Sequence, residues 1–191
     1  MAAVTPPSEE YINTGIFGIA KNRIIWLLIL MVSATFTGII IAGYENALNE
    51  AVVLAAFIPM LMGTAGNAGA QASTIVIRSL VLGEVVFKDI FTIMWKELRI
   101  SSLVGLALSF LNFLRIYYLE KYTLTVALTV SLTLFFTIIV AKVIGGMLPV
   151  IVKKVKLDPA IVASPIITTI IDTVALIIYF NFALWIMGLT R

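Results

Sequence analysis

The chain has 191 residues, of which 61% are apolar and only 12% charged, with a net charge of +3. A soluble domain carries roughly 25% charged residues, whereas several apolar runs here reach the roughly 20 residues that cross about 30 Å of hydrocarbon, so the composition predicts an all-α, polytopic membrane protein. Cys and His are absent, which removes thiolate, haem and imidazole–zinc sites and the Cys–His and Ser–His nucleophiles; no enzymatic chemistry and no nucleic-acid partner are expected.

Residues 1–22 read as a polar tail, with Pro6-Pro7 and Glu9-Glu10 and without the apolar core of a signal peptide. Residues 23–191 read as one transmembrane domain of about five helices. A first span at 24–43 follows Lys21 and Arg23, and an acidic link holds Glu45 and Glu50. The second span, 51–82, is interrupted by Pro59 and by a run of small and polar residues from Gly63 to Thr74. Segment 83–98 mixes charges with Phe87, Ile90, Phe91 and Met94 at steps of three and four, the pattern of an interfacial helix.

The third span is expected at 100–119, ahead of a link with Tyr117, Tyr118 and Tyr122. The fourth, 123–152, carries Lys142, expected to snorkel to the interface, and a Gly145-Gly146…Pro149 breaker. A basic link leads to Asp158-Pro159, a helix start with an Asp cap and Pro in the first turn, and the fifth span is 160–188. With the N-terminus in the cytoplasm, nine of the thirteen basic residues face inward. That asymmetry implies a multi-pass cell-membrane protein with an extracytoplasmic C-terminus.

Asp172 stands alone in the last apolar run. A carboxylate in hydrocarbon costs several kcal/mol and is a functional-site candidate by default. Ser164, Thr168 and Asp172 recur at i, i+4 and i+8, one stripe about 12 Å long. Pro165 frees a carbonyl one turn earlier. On the second span, Gly63, Asn67, Gln71 and Thr74 form a similar stripe, and Gly66, Gly69 and Ala70 beside it admit either a neighbouring helix or an ion's water shell.

These groups are all oxygen donors, suited to Mg²⁺, Ca²⁺ or Mn²⁺. Calcium gathers several acids, whereas Mg²⁺ keeps its waters and needs one or two carboxylates. A lone Asp172 per chain therefore suits Mg²⁺ when a homodimer supplies its mate across a two-fold axis.

The run from Pro59 through Gly63-Thr64-Ala65-Gly66-Asn67-Ala68-Gly69-Ala70-Gln71 to Thr74, continuing to Gly83-Glu84, resembles the MgtE magnesium channel/transporter signature. Asp158-Pro159-Ala160, Ser164-Pro165 and Thr168-Thr169…Asp172 are similar to that family's last pore helix. The resemblance implies a homodimer of five-span subunits that conducts hydrated Mg²⁺, the transported ion, through a pore on the dimer axis in the lipid bilayer. It implies that Asp172 from both subunits holds the ion. Ser164, Thr168, Gly63 and Gly66 would meet its water shell, largely through backbone carbonyls, with Asn67 and Gln71 lining the pore.

Full-length members resembling this chain carry a large cytoplasmic sensor region, whereas about twenty residues precede the first span here. The chain is thus an excised pore domain or a minimal form; the start Met-Ala-Ala-Val-Thr favours the latter. The alternative function is a Na⁺- or H⁺-coupled divalent cation exchanger that also accepts Mn²⁺, Co²⁺ or Ca²⁺, as in solute-carrier relatives that pair two such domains.

Overall fold

A computed structural model describes residues 15–190, and their side chains except at Asn22, Trp26 and 160–166. Helix α1 runs over Ile16–Ala42, α2 over Glu45–Glu50, α3 over Val53–Val81, α4 over Ile90–Leu114, α5 over Leu124–Lys154 and α6 over Pro159–Met187. No strand occurs among the described residues. Five stretches are long and apolar enough to cross a membrane: Ile16–Ala42, Val53–Val81, Phe87–Leu119, Leu124–Lys154 and Ile167–Met187. The protein is an all-α bundle of membrane-spanning character.

Local chemistry accounts for several ends. Thr123 caps α5 by accepting from the Val126 N–H at 3.4 Å, and α6 starts at Pro159, directly after Asp158. Between α3 and α4, the Val86 N–H donates to Asp89 Oδ2 at 2.9 Å. Lys153 Nζ reaches the Leu80 carbonyl at 2.7 Å, joining the Gly83 N–H at 3.4 Å on that acceptor in the last turn of α3. Lys154 lies 3.8 Å over the Phe87 ring. The end of α5 therefore pins the α3–α4 link.

The bundle departs from the sequence expectations in several places. Helix α1 begins at Ile16, so residues 16–22 of the expected polar tail are helical, the apolar Ile16-Phe17 and Ile19-Ala20 extending the span; residues 1–14 lie outside the described residues. The expected interfacial helix at 83–98 is not a separate element. Its residues from Ile90 onward form the first turns of α4, because Ile90, Ile93 and Glu97 share one buried face with Ser101, Gly105, Ser109 and Asn112. The Gly145-Gly146…Pro149 sequence does not break α5, which runs through it.

Helix α5 is the hub, packed on α3, α4 and α6, while α1 rests on α6. Its buried residues, among them Val130, Leu134, Ile138 and Ala141, cover most of the helix, leaving a narrower face with Leu128, Leu132 and Phe136 exposed. Apolar burial alone drives little helix association in lipid, so close backbone approach counts for more. The glycines supply it. A Cβ on Gly145 would collide with the Gly69 carbonyl and stand 2.9 Å from the Gly69 Cα, so α3 and α5 cross in backbone contact. Gly146 leaves room on the adjacent side for the Glu97 and Ile93 side chains of α4. Near the other end, Tyr44 stacks on Phe180 at 4.4 Å and Tyr179 donates to the Leu54 carbonyl at 2.9 Å, joining α3 to α6. Outside the core, α1 leaves Leu27, Met31, Phe36 and Ile39 exposed, as a helix facing lipid tails requires. The Ser33 and Thr169 hydroxyls tie it to α6.

Candidate functional site: the polar face of α3 and Asp172 on α6

Helix α3 has two contrasting faces. Leu61, Ala65, Ala68, Gly69, Ala72 and Val76 are buried against the bundle. Gly63, Asn67, Ala70, Gln71 and Thr74 are exposed in the single chain, and Gly66 is half-buried. The spacing of the exposed set, four then three to four residues, keeps it on one stripe. A Cβ added to Gly63 or Gly66 would meet nothing within 4 Å. Of the small residues that could equally have served packing, Gly69 and Ala72 do so, whereas Gly66 and Ala70 are open. Asn67, Ala70, Gln71, Thr74, Ile75 and Lys142 line a groove of about 620 Å³.

Helix α6 meets α3 at the same level. Gly69 lies against Ile171, and a Cβ on it would sit 3.4 Å from Ile167 Cγ2. Ile167, Ile171, Ala175 and Tyr179 face inward, while Thr168 and Asp172 are half-buried beside them, four residues apart on one face. The fold thus brings the two separate motifs together, with Asp172 next in sequence to the residue that touches Gly69. The Ser164 side chain lies outside the described residues. Among the described residues, no group of three or more acidic, His or Cys side chains gathers.

Two further charges belong to this region, and the sequence pattern pointed them elsewhere. Lys142, expected at the interface, is 7% exposed and donates to Gln71 Oε1 at 3.3 Å. Glu97, within the segment expected to lie along the interface, is equally buried. Its placement was encoded in the four-residue recurrence Ile93, Glu97, Ser101, Gly105, Ser109 along α4, which marks a packing face. Nothing in the sequence joins Lys142 to Gln71, 71 positions apart.

Chemically, the α3–α6 region offers a carboxylate, amides, hydroxyls and accessible backbone. These are hard oxygen donors, and the groove beside them is lined from α3 and α5, with Asp172 outside its lining.

Comparison with known proteins agrees with this chemistry. The family model described as MgtE, divalent cation transporter, matches residues 58–182. The chain is 33% identical over 183 residues to the magnesium transporter MgtE of Thermus thermophilus, an alignment covering 96% of this chain and 40% of that protein. It is 35% identical over 171 residues to the magnesium transporter MgtE of Bacillus subtilis (90% and 38%), and 30% identical over 164 residues to that of Enterococcus faecalis (86% and 36%). The chain therefore spans about two-fifths of the length of these curated relatives. The family match extends from the buried face of α3, through the central helix, to beyond Asp172 on α6. The chain belongs to the MgtE family of divalent cation transporters.

Proposed function

We propose that the chain is a Mg²⁺ transport domain, in which two copies bring their α3 and α6 helices together around a path for hydrated Mg²⁺. The observation that carries this reading is the α3 stripe. Gly63, Asn67, Ala70, Gln71 and Thr74 are exposed on a helix apolar enough to span a membrane. Amide groups facing lipid would lose their hydrogen bonds to water, at several kcal/mol each. A water-filled path removes that cost.

Mg²⁺ sheds its first-shell waters reluctantly, so the domain handles it as a hydrated ion. In this reading the backbone carbonyls at Gly63 and Gly66, the side chains of Asn67 and Gln71, and the Ser164 and Thr168 hydroxyls accept hydrogen bonds from the ion's waters. Asp172 supplies the charge. Two carboxylates, one per copy, balance a divalent ion, and a homodimer axis is the arrangement that pairs them. The N-terminus lies on the cytoplasmic side, as the basic residues indicate. The magnesium named for the related transporters fits this donor set and supports the choice of ion.

Mg²⁺ flux into proteoliposomes tests the proposal. Wild-type protein should carry Mg²⁺ without an imposed Na⁺ or pH gradient, and Asp172→Asn should lower flux at least about tenfold, since it removes a full charge per copy beside a divalent ion. Undiminished flux in Asp172→Asn would remove Asp172 from the path. Flux that depends on an opposing Na⁺ or H⁺ gradient would replace the passive mechanism with coupled exchange.

A further inference from the structure

Two charged side chains are buried on helices other than α6. Lys142 on α5 and Glu97 on α4 are each 7% exposed, within stretches capable of spanning a membrane. An ion in such surroundings persists only where another charge or well-placed dipoles offset its lost hydration.

The offset is arranged through space. Glu97 lies against Gly146, one turn along α5 from Lys142; a Cβ on Gly146 would stand 3.0 Å from Glu97 Cγ. Burial is the largest influence on Glu97, and the positive charge of Lys142 acts against it. The two are not in contact: among the described residues, the ion pair within 4.0 Å joins Arg115 to Glu120. The Lys142 ammonium instead donates to Gln71 Oε1 at 3.3 Å. It thereby becomes the α5 wall of the groove formed by Asn67, Ala70, Gln71 and Thr74.

We propose that Lys142 is a positioning residue that fixes the Gln71 amide and places a positive charge beside the ion path, loosening the grip on Mg²⁺, with Glu97 behind it setting how strongly that charge is felt. This rests on the reading that the α3 groove conducts. A conducting site must bind firmly enough for the ion to enter and weakly enough for it to leave, and a site with paired carboxylates holds a divalent ion tightly. A fixed ammonium in the wall speeds release without occupying the path. Its single positive charge requires a counter-charge nearby, and Glu97 provides it outside the groove.

The proposal predicts effects of opposite sign from two single substitutions. Lys142→Met keeps the chain length and leaves Glu97 unopposed, so the half-saturating Mg²⁺ concentration for flux should fall by roughly threefold to tenfold. Glu97→Gln leaves Lys142 unopposed, so it should rise by a similar factor. The double variant should return close to wild type, and Lys142→Arg should stay there. If Lys142→Met does not fold, Glu97→Gln and Lys142→Arg decide the matter: a rise in the first with no change in the second supports the proposal. A purely structural pair would lower maximal flux in both single variants without moving the half-saturation in opposite directions. Shifts in the same direction, or no shift, with wild-type flux intact would overturn this role for Lys142 and leave the transport reading standing. Absence of Mg²⁺ flux in the wild type would overturn both.

Discussion

At Gly145, one missing methyl group decides whether α3 and α5 can touch. A Cβ there would overlap the Gly69 carbonyl and stand 2.9 Å from its Cα, and backbone cannot rotate aside as a side chain can. Gly145→Ala should therefore lower stability by about 1–3 kcal/mol or more, read as a fall in thermal unfolding temperature in detergent. Gly66→Ala is the contrasting case. Open space surrounds that position, so stability should change by less than about 1 kcal/mol, and any loss of flux would report on the path rather than on folding. Equal destabilisation by the two substitutions would contradict this division of the glycines. In the sequence both lie in Gly-rich stretches. Asp172 stands out there because a carboxylate is costly in an apolar run. Lys142 was not, since its partner Gln71 is brought near only by the α3–α5 crossing.

Among the helices, α3 shows how far pattern reading reaches. Its start and end fall within two residues of the expected 51–82 span, yet the Gly/Asn/Gln stretch expected to interrupt it is regular helix from Val53 to Val81. Small residues weaken a helix in water, but here they let α5 approach and the helix is held by its neighbours. For α4 the period-of-three-to-four pattern was visible, but its direction was not. An amphipathic stretch lying along an interface and one packed on another helix share that period, and only the partner tells them apart. Tyr179 tests the attachment of α6 to α3. Its hydroxyl donates to the Leu54 carbonyl at 2.9 Å in the apolar end of the bundle. Tyr179→Phe should cost about 0.5–1.5 kcal/mol with little change in Mg²⁺ flux, measured by thermal unfolding and flux on the same preparation. A large loss of flux at unchanged stability would mean that this end of α6 belongs to the transport path.

For the whole molecule, the central claim is that two copies meet across the polar face of α3 and Asp172. Membrane class and the number of spans were legible because about 20 apolar residues in a row have one common fate. The assembly is not written in hydropathy, because a small, polar helix face serves a pore, a subunit contact or both. The claim has a direct test: determine the structure of the protein in lipid nanodiscs with Mn²⁺ added as a stand-in for Mg²⁺, and locate the metal. The expected result is a two-fold dimer with metal density on its axis, between two Asp172 carboxylates and separated from them by water. A monomer, or a dimer whose Asp172 side chains face lipid or dry helix contacts while the metal binds elsewhere, would contradict it.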